Sequence, residues 1–246
     1  MLNASSHAPG GTVFLIDVDN TLFDNDGFAT DLGAELERSF GADGRARYFE
    51  LYETLRDEVG YADYLGALQR FRQGRETHPG MLRIGAWMLD YPFAEHLYPH
   101  ALDAIAHLRT LGTTAILSDG DIVFQPHKIR HGGLWQAFAG EVLVYVHKQH
   151  MLDAVQAHYP AAHYVMVDDK AYLLTAVKRV LGPRLTTVFV RQGHYAALPA
   201  EADALTPDIE IAAIGELVRF AATDFLPRAA RDVAAIERRR LEGDNA

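Results

Sequence analysis

The chain has no cysteine among its 246 residues. Disulfides, thiolate catalysis and cysteine-built zinc or iron–sulfur sites are therefore excluded. Positive charge is scarce: 23 Lys and Arg stand against 33 Asp and Glu, a net charge of −10. That balance argues against a partner that is a nucleic-acid polymer or an anionic membrane. An anionic small molecule stays compatible, provided a metal ion or a few basic side chains reverse the local sign. No apolar run approaches the ~20 residues of a membrane-spanning helix. Residues 1–11 lack the apolar segment of a signal peptide and read as a disordered lead-in. A cytoplasmic protein is the expectation. Apolar residues make up 49% of the chain, enough for one large domain or one domain with an insert.

The residues that organise the rest lie between Thr12 and Asn25, T-V-F-L-I-D-V-D-N-T-L-F-D-N. Val13 to Ile16 form a continuous apolar run, as in a strand buried on both faces. The run stops at Asp17 and Asp19, followed by Asn20 and Thr21. In extended backbone, residues i and i+2 point to the same side, about 6–7 Å apart. A group lodged between two such carboxylates can be attacked by one and protonated by the other. Alone, the pair also fits a strand ending in a polar turn; the rest of the chain separates the two readings.

After Asn25 the apolar period becomes helical. Leu32, Leu36 and Phe40 form one stripe ended by Gly41, and Tyr48 to Val59 a second closed by Gly60. Tyr61 to Phe71 form a third closed by Gly74, and Gly80 to Tyr91 a fourth. Residues 25–96 thus read as a helical insert without a strand. Strands and helices then alternate. The expected strands are Thr114–Leu117, Val142–Val146, Tyr164–Val167 and Thr186–Val190, with helices between them. This pattern predicts an α/β, Rossmann-like open parallel sheet with helices on both faces, spanning 12–24 and 97–223. A C-terminal helix and charged tail are expected over 224–246. Open sheets of this kind bind ligands at the carboxyl ends of their strands. Those ends carry Asp17 and Asp19, Ser118, Lys148, and Asp168 with Asp169.

Two acidic pairs make an oxygen-rich site suited to a hard cation, Mg²⁺ above all, and without the histidines that zinc usually takes. A phosphate at such a cation can be held further by the hydroxyl of Ser118 and the ammonium of Lys148. A carboxylate can then attack phosphorus in line to form an aspartyl-phosphate, and the second carboxylate can protonate the leaving oxygen and later activate water. An acid in that role must hold a proton near neutral pH, which a low-dielectric lid favours.

With these residues in order, the sequence resembles the haloacid dehalogenase-like hydrolase superfamily. Its D-x-D-x-T motif is met by Asp17-Val18-Asp19-Asn20-Thr21, its strand-end hydroxyl by Ser118, its lysine by Lys148, and its acidic pair by Asp168-Asp169. The insert then resembles a helical cap of the first type. The resemblance implies that Asp17 is the nucleophile and a metal ligand, and that Asp19 is the acid/base, its backbone carbonyl also on Mg²⁺. It implies phosphate binding by Ser118 and Lys148, metal contact by Asp169, and a role for Asp168 through water or on Lys148. Thr21 would support the loop. Dehalogenases of the family have no acid at the second Asp position, because halide leaves as an anion, so Asp19 argues for a phosphate ester.

The implied partner is a small phosphorylated metabolite of the sugar phosphate or nucleotide class; oligomeric state stays open. The reading is a Mg²⁺-dependent phosphatase, with a phosphomutase or phosphotransferase on the same residues, or a non-catalytic binding module, as alternatives. Lys128 is a rival for the lysine motif. His127 and His131, four apart, read as helix-surface residues rather than a metal pair, and His147 and His150 beside Lys148 as solvated. Phe23, Asp24 and Asn25 are candidates for substrate contact or for a hinge. Arg191 either lines the outer site or pairs with an acidic neighbour.

Overall fold

The computed structural model describes residues 11–199 and 203–227. Its centre is a six-stranded, all-parallel sheet in the order β3-β2-β1-β4-β5-β6. The strands are β1 (Thr12–Ile16), β2 (Thr113–Asp119), β3 (Val142–Tyr145), β4 (His163–Asp168), β5 (Leu185–Val190) and β6 (Ile209–Ile211). Five of these follow the apolar runs. The sixth has three residues with Glu210 in the middle, too short and too polar to show a strand period.

Alternate residues of β1 feed different cores. Val13 and Leu15 pack with Leu152, Val155, Leu174 and Val177 on one face. Phe14 and Ile16 pack with Ile105, Leu108, Phe124 and Leu217 on the other. Helices therefore cover both faces: α4 (Ala101–Leu111) and α5 (Phe124–His131) on one side, α7 (Leu152–His158) and α8 (Ala171–Leu181) on the other. A short α6 (Leu134–Ala137) precedes β3. The helix expected from Ile122 starts two residues later, because Asp121 Oδ1 accepts from the backbone N–H groups of Val123 (2.8 Å) and Phe124 (2.6 Å).

Between β1 and β2 the chain is helical: α1 (Asn25–Val59), α2 (Tyr64–Phe71) and α3 (Gly80–Leu89). Two helices run together in α1 across Gly41, whose φ of 73° and ψ of 176° break the helical path where the first apolar stripe ends. The fourth stripe ends at Leu89, short of Tyr91. The two chain crossings into and out of this insert are paired. Asp24 N donates to His96 O (2.9 Å), Tyr98 N donates to Leu22 O (2.9 Å), and Phe23 bridges Leu97 in antiparallel sense.

The insert does not keep a separate apolar core. One buried cluster runs from Leu36, Tyr48 and Phe71 through Phe28 to Phe124, Ile16 and Val167. Phe28 is its hub, with the rings of Tyr64, Tyr91 and Phe124 at 5.1, 5.0 and 5.7 Å. At the other end of the chain, residues 222–225 form a 3-10 turn, not the start of an α-helix, and Phe225 packs edge-on against Phe14 at 5.1 Å. The remainder of the expected C-terminal helix, with Arg238 to Arg240, lies outside the described residues, as do positions 1–10 of the expected lead-in. Among the described residues no helix is long and apolar enough to cross a membrane.

Replacing Phe28 by alanine removes the ring that ties insert to sheet. The expected loss is about 3–5 kcal/mol of unfolding free energy, read as a lower urea midpoint for the variant than for the wild type.

Candidate active site

The strand order makes β1 and β4 neighbours, although the chain passes through β2 and β3 between them. That reversal is the switch point at which an open α/β sheet leaves a crevice. The register pairs Ile16 with Val167, so Asp17 and Asp168 leave the sheet side by side, and Asp17 N continues the ladder to Val167 O at 3.0 Å. The carboxylates of Asp17, Asp168 and Asp169 converge there, all buried, with one oxygen from each lying within 4.8 Å of the others.

The loop after Asp17 is held by its own side chains. Asn20 takes a positive φ of 59°, a conformation that Asn tolerates better than most residues. Its Oδ1 accepts from the N–H groups of Asn25 (3.1 Å) and Asp26 (3.2 Å), and its Nδ2 donates to Asp26 Oδ1 (3.0 Å). Gly193, at φ 68°, lies against Asn20 so closely that an added Cβ would come within 2.4 Å of it. Thr21 is buried, with its hydroxyl 3.5 Å from Asp17 Oδ2.

Lys148 is wholly buried and reaches back into the triad. Its ammonium donates to Asp17 Oδ1 (2.6 Å) and Leu117 O (3.3 Å), and forms an ion pair with Asp168 Oδ2 (2.7 Å). Its backbone N–H donates to Asp119 Oδ1 at 2.7 Å, which fixes the β3 loop to the end of β2. Burial works against the charge of Lys148, but Asp168, Asp17 and Asp119 outweigh it and hold its pKa above the ordinary lysine range. Asp168 Oδ1 accepts from Lys170 N (2.9 Å). Both carboxylate oxygens of Asp169 are buried without a hydrogen-bond partner. Burial, then the neighbouring Asp168 and Asp17, push the Asp169 pKa up to about 9. Buried polar atoms without partners are rare and costly. Two orphaned oxygens in an all-oxygen donor set are what a hard cation would satisfy, so the residues fit one.

Asp19 does not join the triad. It forms an ion pair with Lys128, whose side chain is 2% exposed, and accepts from Gln125 Nε2 at 3.2 Å. The two lysines that compete for one motif in the sequence thus both reach this end of the sheet, Lys148 on Asp17 and Lys128 on Asp19. Ser118 is buried near the end of β2; its hydroxyl accepts from Gln125 Nε2 (2.9 Å) on α5 and donates to Asp119 O (3.2 Å).

A cavity of about 450 Å³ opens from Asp19 and Asn25 between the sheet edge and the insert, with Arg56, Tyr64, Lys170 and Tyr195 on its walls. This is within the size range of small-ligand sites. Asn25 is placed in it, donating to Tyr64 Oη (3.1 Å) and accepting from Lys128 (3.3 Å). Asp24 instead caps α1 through Gly27 N (2.8 Å), and Phe23 is buried under Lys128. Arg191 pairs with Glu210. His127 Nε2 donates to Leu89 O (2.7 Å) and the ring stacks on His131, with no carboxylate paired to either among the described residues.

Sequence reasoning passed over Gln125 and Lys170 and ranked Lys128 second. Gln125 and Lys128 lie on a helix whose apolar pattern gives no sign of which face meets Asp19. The one available signal for Lys170 is its position next to Asp168-Asp169.

A crystal structure from Burkholderia xenovorans LB400, assigned to the haloacid dehalogenase-like hydrolases, is 53% identical and covers 87% of this chain and 100% of its own, with a TM-score of 0.81. The chain belongs to the haloacid dehalogenase-like hydrolases. An L-2-haloacid dehalogenase from Xanthobacter autotrophicus shares the fold at 19% identity, TM-score 0.57, covering 85% of this chain and 97% of its own. A magnesium-bound hydrolase of the same superfamily from Bacillus subtilis does so at 18% identity, TM-score 0.59, with the same coverage. No family model and no curated protein matches the chain.

The triad makes a stability prediction. A carboxyl whose folded pKa is raised stabilises the fold below its unfolded pKa and loses that contribution as pH rises through the folded value. The metal-free protein should therefore lose stability between about pH 4 and pH 9 on account of Asp169. Asp169→Asn should remove this slope, raising neutral-pH stability in EDTA by about 1–3 kcal/mol. Thermal unfolding of both proteins in EDTA across pH measures this.

Proposed function

We propose that this hydrolase is a Mg²⁺-dependent phosphatase of small phosphomonoesters that works through an aspartyl-phosphate on Asp17. The observation that carries the reading is the pairing of roles in one loop. Asp17 is a buried carboxylate held by Lys148, and Asp19, two residues on, lines the cavity with Lys128 behind it. A departing halide keeps its electron pair and needs no proton, whereas a departing alkoxide does. A carboxylate–ammonium pair at the cavity wall suits the second case.

Asp17, Asp168 and Asp169 would hold the cation, with the Asp19 carbonyl as a further oxygen ligand. When bound, Mg²⁺ would neutralise phosphate oxygens and let an anionic nucleophile approach. The magnesium-bound superfamily member supports this choice of ion.

The steps by the chain's own groups are as follows. Lys148 on Oδ1 and Thr21 near Oδ2 keep the Asp17 carboxylate in one orientation. A carboxylate oxygen attacks phosphorus in line as the bond to the alcohol oxygen breaks. The electron pair leaves on that oxygen, which takes a proton from the Asp19–Lys128 pair. Water then attacks the phosphorus of the acyl phosphate, giving its proton to Asp19, and phosphate and the free Asp17 carboxylate are regenerated. Ser118, with Gln125 anchoring its hydroxyl, would contact phosphate oxygens.

Purified protein should release phosphate from an aryl phosphate or from members of a sugar phosphate and nucleotide panel, and only with Mg²⁺. Asp17→Asn should abolish this. Asp19→Asn should lower kcat by about 10²–10⁴, more for alkyl than for aryl esters, whose leaving groups need the proton less. Inactivity of the wild type across the whole panel would overturn the reading.

A further inference from the structure

Three lysines end at this site, and their donors are not equally committed. The Lys148 ammonium donates to Asp17 and Leu117 O and pairs in charge with Asp168. Lys128 is directed at Asp19 and Asn25. Lys170 stands apart. Among the described residues no carboxylate comes within 4 Å of its ammonium and no acceptor takes a hydrogen bond from it. It rests on the face of Tyr195, 4.8 Å from the ring centroid. That geometry is a cation–π contact, which leaves the N–H groups pointing away from the ring free to donate.

We propose that Lys170 is the receptor for an oxygen of the reacting phosphate, acting beside Lys148. Two features converge on it. Its position immediately after Asp168-Asp169 puts it at the carboxyl end of β4, and it lines the same cavity as Asp19. And Tyr195, which supports it, accepts from Arg56 of the insert (3.3 Å), so the two sides of the cavity meet at the group that orients the lysine. A phosphate dianion entering this cavity meets two acidic clusters. Lys148 and Lys128 already spend their charge on those acids, so a cation with uncommitted donors is what allows the anion to stay. The inference deepens the phosphatase reading and rests on it for the identity of the anion.

Binding of inorganic phosphate, the expected product, tests it by isothermal titration in saturating Mg²⁺. Lys170→Met should raise the phosphate Kd about tenfold to a hundredfold, the range for a lost hydrogen bond to a charged group. Lys170→Arg, which keeps charge and donors, should recover part of that loss. Mg²⁺ binding without phosphate should be equal or tighter in Lys170→Met, since a positive neighbour has gone, and its thermal midpoint should show that it is folded. A phosphate Kd within threefold of wild type in the folded Met variant would overturn the proposal. So would loss of Mg²⁺ and phosphate binding together, or a wild type that binds no phosphate. The two readings fail separately. Lys170-dependent phosphate binding without hydrolysis of any phosphomonoester refutes the phosphatase and leaves the receptor. Wild-type hydrolysis that Lys170→Met leaves unchanged in kcat and KM does the reverse.

Discussion

Three carboxylates are taken out of water at the edge of the sheet, and the geometry around them follows from how each is compensated. Asp17 and Asp168 share the Lys148 ammonium, which is itself buried and could not stay charged without them. Asp169 is left with neither donor nor cation of its own. Ion pairs in such surroundings contribute little net stability, because desolvation offsets the attraction. The arrangement is therefore better understood as stability given up for a site. The surrounding structure has to hold it in place: the β1–β4 ladder through Asp17 N, the Asp119 contact to the Lys148 backbone, and the Asn20 loop braced by Gly193.

The insert is joined to this edge in two different ways. Through Phe28 and Phe124 it shares a continuous apolar core with the sheet, a contact that favours one fixed position. Across the cavity polar groups join it to the sheet side: Arg56 with Tyr195, Asp26 with His194, and Asn25 with Lys128. Apolar burial thus sets where the insert sits, while polar contacts bridge the space where a ligand would enter. The paired crossings at 22–24 and 96–98 carry the chain between the two regions.

The parts of the fold that were readable in advance are those written in local pattern. Five strands coincide with apolar runs, and Gly41 and Gly60 fall at a helix break and a helix end, because burial on both faces and helix termination leave signatures within a few residues. The short β6 exists only because β5 offers it a ladder, so nothing local marks it. Gln125, and the pairing of the rival lysine Lys128 with Asp19, were hidden for a related reason. Both side chains reach Asp19 across more than a hundred residues of chain, and which face of α5 turns inward is set by Phe124 and Ile129 packing on elements far away in sequence.

The sequence by itself determined the strand–helix alternation and the chemical identity of what stands at each strand end: two acidic pairs, a hydroxyl and a lysine. Those follow from short-range periodicity and residue type. Only the tertiary structure decided the partners. The β1–β4 adjacency puts Asp17 on Lys148 with Asp168 and Asp169, leaves Asp19 to Lys128, and sets Lys170 on Tyr195 without a counter-ion among the described residues. The physical reason is that electrostatic interactions are settled by distance and burial, and both depend on contacts between segments that the chain brings together only when folded.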